Sequence, residues 1–354
     1  MYKLFFVLGS VFISNFCFAN PLLGLPPLSI PKDNTQTTEK IELGRLLFND
    51  VRFSSDNSIS CASCHHSNKA FTDGLKVPKG VNNLSGLRNA PTVINAAFYK
   101  TYFLDGREPS LEAQSLEPFI NPVEHRLKNY KKIIKVIHTD PDYPQMFEQA
   151  FNIPKDQITI KFVSKAIASF ERTLIAGNSL FDQYYFGRDH TKLSESAARG
   201  LRLFRRKGNC ANCHEISFDN ALFMDNRFYN IGVGFNHLKP KLNEIISSLK
   251  QGKSVKALDL SPEQLSELGR FNVTNIILDI GKYKTPTLRN ISLTAPYMHD
   301  GSMKTLEEVV DYYDKGGDKN RFIDPAIYPL HFTEQEKIDL VEFMKSLTSP
   351  QLIR

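Results

Sequence analysis

Cys61-Ala62-Ser63-Cys64-His65 recurs as Cys210-Ala211-Asn212-Cys213-His214. C-x-x-C-H is the word that attaches a c-type haem. Two thiols three residues apart can each add to a vinyl group on one edge of a porphyrin. The histidine after the second thiol then sits under the iron and supplies an axial nitrogen. A zinc site would need four ligands drawn from both words and would leave His65 and His214 over. A redox dithiol has no use for the histidine. The remaining cysteine, Cys17, lies near the N-terminus. The spacing therefore predicts two covalently bound haem c groups, held by Cys61, Cys64, His65, Cys210, Cys213 and His214, and no disulfide.

Outside these words the chain reads as globular and exported. Hydrophobic residues make up 41% of it and charged residues 23%, which excludes a disordered chain. The formal charge of +6 is not concentrated in a Lys/Arg block with interleaved aromatics, so no nucleic-acid partner is expected; a basic surface that docks an acidic redox partner is compatible with it. Lys3, the apolar run Leu4 to Phe18 and the small Ala19 read as a signal peptide over residues 1–19, cleaved before Asn20. The run is short for a spanning helix, so no stable membrane span is expected after cleavage. An uncleaved N-terminal anchor is the alternative. Export would deliver the chain to the periplasm, outside the inner membrane, where c-type haem is attached.

Residues 20–37, with four prolines, read as an extended leader. Helices are expected from Thr38 onward, from Ser110 through Pro118, over Tyr130 to His138, over Tyr143 to Phe151, over Ile160 to Ala176 and over Ser194 to Arg206. Gly177-Asn178 reads as the boundary between an N-terminal haem domain, 38–176, and a C-terminal one, 177–354. Residues 66–109 and 215–260 read as irregular chain wrapping each haem. Ser261-x-x-Gln264, Thr305-x-x-Glu308 and Thr333-x-x-Glu336 read as capping boxes that open later helices. Strand signals are few. The fold expected is mostly α, two cytochrome-c-like haem domains with long irregular haem-wrapping loops.

Several residues could carry chemistry. A haem that activates peroxide needs an acid/base above the iron to move a proton between the two oxygens. Gln114 and Pro118 are four apart and would share a helix face. Glu124 follows the helix-breaking Asn121-Pro122 and on pattern alone reads as a surface carboxylate. For the second haem, the candidates for a sixth ligand are Met298, His299, Met303, Tyr312 and Tyr313. Leu306, Val309, Val310 and Tyr313 form an i, i+3, i+4, i+7 stripe, so Tyr313 faces inward and Tyr312 points about 100° away. On pattern alone Tyr313 is a core aromatic.

Seven stretches stand in the order found in the diheme bacterial cytochrome c peroxidases, and the chain most resembles the MauG-like branch of that family. They are Leu43-Gly44-Arg45-Leu46-Leu47-Phe48, the first haem word, Ala70-Phe71-Thr72-Asp73-Gly74, Arg88-Asn89-Ala90-Pro91-Thr92, Asp105-Gly106-Arg107, Lys284-Thr285-Pro286-Thr287-Leu288-Arg289-Asn290 and Ala295-Pro296-Tyr297-Met298-His299-Asp300-Gly301. The resemblance implies a peroxidatic N-terminal haem and a C-terminal haem that relays electrons. It implies Glu124 and Gln114 as the catalytic pair with Pro118 beside them, and Tyr313 as second axial ligand opposite His214. It also implies a calcium ion near Asn89, Thr294 and Pro296, the last two through backbone oxygens. Residues 67–87 hold no histidine to block the first iron, the matching place being near Val81, so a pocket open at rest is expected.

One departure is plain. Leu104 stands where the family has a tryptophan between the haems, and the chain has no tryptophan at all. Leucine cannot be oxidised in a hopping step. The function these readings imply is reduction of hydrogen peroxide to water with electrons from a small cytochrome c or copper protein. The alternatives are a MauG-like oxidase that modifies residues of a partner protein and a diheme electron carrier or redox sensor without turnover.

Overall fold

Thr37 opens the first helix of the computed structural model, which describes residues 22–353; the expected signal peptide and Cys17 lie outside them. The Thr37 hydroxyl accepts the Lys40 N–H, Glu39 favours the positive N-terminus, and α1 runs Thr38–Asn49 with Leu43, Leu47 and Phe48 buried. After two short helices, α2 (Leu111–Gln114) and α3 (Glu117–Ile120), come α4 (Lys131–Thr139), α5 (Tyr143–Phe151) and α6 (Ile160–Glu171). The second half holds α7 (Leu180–Tyr185), α8 (Glu195–Arg205), α9 (Leu242–Lys250), α10 (Pro262–Glu267), α11 (Phe271–Thr274), α12 (Leu306–Asp314) and α13 (Glu334–Lys345). Two two-residue strands, β1 (Phe228–Tyr229) and β2 (Tyr283–Lys284), pair antiparallel. The architecture is mostly α, as expected. No helix of the described residues is long and apolar enough to cross a membrane.

The duplication of the haem word extends into the packing. In the first half α1 crosses α6 at Gly44, where an added Cβ would overlap the Ala166 carbonyl and sit 2.9 Å from Phe170 Cβ. In the second half α8 crosses α13 at Gly200, where a Cβ would overlap the Asp339 carbonyl and sit 2.8 Å from Phe343 Cβ. Four residues after each glycine comes a fully buried phenylalanine. Phe48 lies 6.3 Å from the His65 ring and 5.3 Å from Phe170; Phe204 lies 6.4 Å from the His214 ring and 5.0 Å from Phe343. Each half thus builds one helix pair whose closest approach seats an aromatic floor beside the haem word. Each has its own core, one spanning Leu43 to Ile167 and the other Phe181 to Leu347.

Four expectations need correction. The helix expected through Pro118 breaks at Ser115-Leu116, because Pro118 has no N–H for the Gln114 carbonyl; the proline instead sits in the first turn of α3. The helix expected to reach Ala176 stops at Glu171. Beyond it the Asn95 side chain donates to the Ala176 carbonyl at 2.8 Å and accepts its N–H at 2.9 Å, which holds the chain extended. The stretch 215–260 is not all irregular: α9 lies within it, on the readable stripe Leu242, Ile245, Ile246, Leu249. The Thr305 capping box is half made, since its hydroxyl accepts the Glu308 N–H while the Glu308 carboxylate takes the N–H of Lys304. The other two boxes are complete.

Candidate active site

Each haem word folds as a single tight turn. Cys61–Ser63 and Cys210–Asn212 are 3-10 turns, and in both the following histidine N–H returns to the first cysteine's carbonyl. The turn sets two thiols and an imidazole on one side of the chain. All four thiols are unpaired, and burial pushes them up, Cys64 and Cys210 to about 12 and Cys213 to about 11.

Both imidazoles are oriented in the same way. His65 Nδ1 is 3.0 Å from the Phe71 carbonyl, and His214 Nδ1 is 2.9 Å from the Phe223 carbonyl. A carbonyl only accepts, so Nδ1 carries the proton and the Nε2 lone pair is left for a metal. Phe71 and Phe223 both have left-handed backbones, with φ of 57° and 52°. Such conformations cost a bulky residue about 1–3 kcal/mol and persist where the surroundings demand them. Burial lowers both imidazole pKa values, and the carbonyls oppose it. Paired thiols, a neutral histidine with free Nε2 and an adjoining aromatic floor fit a covalent haem at each word.

Beside the first word a pocket of about 40 Å³ brings the expected catalytic residues together. Gln114, Pro118 and Glu124 line it with Cys61, Cys64 and His65. The surface reading of Glu124 is therefore corrected. Asn121-Pro122, which ends α3, forms the turn that aims it: Asn121 Nδ2 donates to Glu124 Oε1 at 2.7 Å, while Asn121 Oδ1 accepts the N–H groups of Val123 and Glu124. Burial raises the Glu124 carboxyl above the usual range, Arg107 opposes, and Glu117 adds to the rise. Val81 N–H donates to the Glu124 carbonyl, so the Val81 loop packs on Glu124's backbone.

Two wall residues escaped the sequence reading. His125 is buried, engages the Phe53 carbonyl at 3.1 Å, and is pushed down to about 4 by burial, so it is neutral. Glu171 is buried at the end of α6 with no hydrogen-bond partner for Oε2, and burial pushes it up to about 8. No pattern marks it, because a Glu-Arg pair at a helix end reads as solvated.

A second cavity, about 270 Å³, holds Cys210, Cys213 and His214 and reaches Asn89, Pro91 and Leu104 of the first half. Leu306, Val309, Val310 and Tyr313 all line it, as the stripe requires. Tyr313 Oη has no hydrogen-bond partner; burial and the neighbouring Cys210 and Cys213 raise its pKa, so it is a phenol. Of the other ligand candidates, Tyr312 faces away and donates to the Ile231 carbonyl, and Met303 packs in the core. His299 reaches the cavity but spends Nε2 on the Glu267 carboxylate at 3.0 Å, which leaves Met298 and Tyr313 free to face it.

Asn89, Thr294 and Pro296 share this cavity's wall, and Asn89 donates its amide to the Leu75 carbonyl at 2.9 Å. Among the described residues no cluster of three or more His, Cys, Asp or Glu side chains could hold a metal ion.

The chain is similar to known proteins over most of its length. The family model described as di-haem cytochrome c peroxidase matches residues 38–190. A cytochrome-c peroxidase IdrP1 of Pseudomonas sp. (strain SCT) is 33% identical over 335 residues, covering 93% of this chain and 86% of the relative. The methylamine utilization protein MauG of Methylorubrum extorquens is also 33% identical, over 91% of this chain and 84% of its own. Among solved structures, a MauG-like protein associated with microbial copper homeostasis superposes with TM-score 0.78 at 32% identity, covering 94% of this chain and 95% of that one.

Proposed function

The chain belongs to the di-haem cytochrome c peroxidase family, and from that premise we propose that it reduces hydrogen peroxide to water at its first haem, with electrons relayed from the second. It is a peroxidase-like oxidoreductase with two covalently bound haem c groups. The observation that carries the proposal is Glu124, aimed by Asn121 into a pocket shared with Gln114, Pro118 and the first haem word.

When bound, the haem supplies the redox chemistry of O–O cleavage. Glu124 takes the proton from the nearer peroxide oxygen and returns it to the farther one, which leaves as water. With two electrons and two protons delivered, each peroxide yields two waters. Its raised pKa suits that exchange, because a carboxyl poised nearer neutrality both accepts and gives a proton readily. Gln114 orients the peroxide with its amide, and Pro118 closes the wall without adding a donor. With no histidine between 67 and 87, peroxide meets the first site without prior reduction. Tyr313 and His214, which line one cavity, would together hold the second haem's iron, with Tyr313 bound as the phenolate.

The N-terminal domain, 38–176, carries the peroxide site, and the C-terminal domain, 177–354, carries the relay. The donor is a small periplasmic cytochrome c or copper protein, with export directed by residues 1–19. Calcium would use Asn89 Oδ1 with the Thr294 and Pro296 carbonyls. The second reading, an oxidase that modifies a protein partner, is favoured by one observation: Tyr313, which on an iron would become a hard phenolate donor that stabilises its oxidised state, faces the second cavity. Steady-state peroxide reduction with reduced cytochrome c tests the choice. Catalytic turnover supports the peroxidase, and reaction of peroxide without donor turnover overturns it in favour of the oxidase.

A further inference from the structure

Leu104 leaves the space between the two sites without an oxidisable side chain at the place where the family has its tryptophan. Electron transfer through saturated groups falls off exponentially with distance, and oxidisable side chains along the way restore speed by dividing one long step into short ones. Two tyrosines stand on one face of the strand pair beside Leu104. Tyr229 of β1 and Tyr283 of β2 are directly opposed partners, which puts their Cβ atoms about 5 Å apart. Both line the larger cavity, and β2 is tied to the first half by the Lys284 N–H, which donates to the Leu104 carbonyl at 2.7 Å.

Both rings line the second word's cavity, and Tyr283 also touches Arg88 of the first half. Tyr229 Oη lies within reach of the Cys213 sulfur, one of the second haem's thioether positions. The Tyr283 ring lies under Arg88, whose guanidinium is 5.2 Å from its centroid. Arg88 is three residues before Pro91, whose backbone faces the His65 ring. Tyr283 also stacks on His299, with centroids 3.8 Å apart and planes at 19°. Each phenol has a carboxylate to receive its proton. Tyr229 Oη donates to Asp225 Oδ2 at 2.6 Å; Tyr283 Oη is 2.9 Å from the Ser266 carbonyl and 3.3 Å from Glu267 Oε2. Tyr297, on the same cavity, donates only to the Ile291 carbonyl, which cannot accept a proton outright.

We propose that Tyr229 and Tyr283 form a two-step electron relay between the haem sites, in place of the missing tryptophan; the inference rests on the peroxidase reading of the first site. Tyr283 gives one electron to the peroxide-oxidised first site and one proton to Glu267, becoming a neutral radical. Tyr229 then gives one electron to Tyr283 and its own proton to Asp225, while Glu267 returns its proton to Tyr283. One electron from the second site restores Tyr229, and Asp225 returns its proton. The sum is one electron moved from the second site to the first, with no net proton change.

The test uses the diheme holoprotein and Tyr229→Phe, Tyr283→Phe, the double variant and Tyr297→Phe as control. The ferric protein is mixed with stoichiometric peroxide and frozen for electron paramagnetic resonance. Separately, the second haem is reduced by a light-triggered donor and electron arrival at the first is followed optically. The parent is expected to show a tyrosyl signal that Tyr283→Phe abolishes. Inter-haem transfer should slow about tenfold or more in both single variants, with Tyr297→Phe unchanged. Leu104→Trp in the Tyr283→Phe background should recover the rate. Parent-like transfer in the double variant, in a protein that still reacts with peroxide, would overturn the relay alone. A parent that fails to react with peroxide would overturn the peroxidase reading and the relay with it.

Discussion

In the proposed reaction Glu124 would depend on one hydrogen bond and on its burial. Asn121 holds one carboxylate oxygen and leaves the other toward the pocket. Glu124→Gln keeps that shape and removes the base, so peroxide turnover is expected to fall by roughly 10²–10⁴-fold with both haem spectra native, measured by steady-state kinetics and optical spectra. Tyr313→Met replaces a hard oxygen donor with a soft thioether that stabilises ferrous iron, so the second haem's potential should rise in a redox titration while Tyr312→Phe leaves it in place. Glu171 gives a pH effect of calculable sign. Its carboxyl titrates near the ordinary 4.5 when unfolded and at about 8 when folded, so the folded state holds the extra proton between those values. Stability contributed by the neutral acid is complete below the lower value and declines as pH rises toward the upper one. Glu171→Gln should flatten that decline in denaturation midpoints measured from pH 5 to 8, and an unchanged slope would show that another group sets it.

At the scale of elements, the helix pairs are fixed by two glycines that the sequence does not advertise. Gly44 sits inside a helical pattern, where glycine costs about 1 kcal/mol relative to alanine, and so does Gly200. The cost is offset because α1 and α6, like α8 and α13, approach until a Cβ would strike a backbone carbonyl. Gly44→Ala and Gly200→Ala should each destabilise by about 1–3 kcal/mol or more, because a carbonyl in a helix cannot move aside as a side chain can. Gly44→Ala should perturb the first haem's spectrum and Gly200→Ala the second's. These helices were legible in the sequence: α1 and α8 were expected from Thr38 and Ser194 onward, α6 from its apolar spacing and α13 from the capping box at Thr333. The break at Ser115 and the early end at Glu171 were not, because each depends on a partner distant in sequence or on a missing N–H. The haem words named their own chemistry, whereas the aim of Glu124 depends on a turn that pattern alone reads as an exit to solvent.

At the scale of the whole molecule, one buried cation ties together segments that belong to neither haem word. Arg289 is 1% exposed and pairs with Asp182 through two bonds, at 2.8 and 2.9 Å. Its remaining donors go to the Ala221 and Gly24 carbonyls. Asp182 in turn completes the capping box that starts α7 at Ser179. The extended leader is thereby held against the second half at Gly24, and it reaches the first half at Asn34, which donates to the Lys165 carbonyl and to Glu112. Gly24, with φ of 84°, leaves no room for a side chain beside Asp182 and Arg289. Removing one member of such a pair strands the other charge in the interior, which costs about 3–5 kcal/mol, whereas a surface pair is worth little. Arg289→Met should therefore lower the unfolding midpoint far more than Arg45→Met, whose Glu42 partner is exposed. Replacing both partners, Arg289→Met with Asp182→Leu, should recover part of the loss, because no unpaired charge is left inside. The measurement is denaturant unfolding of the three variants beside the parent, followed by circular dichroism and by haem absorbance. Equal midpoints for Arg289→Met and the parent would show that the leader and the second half are held by packing alone.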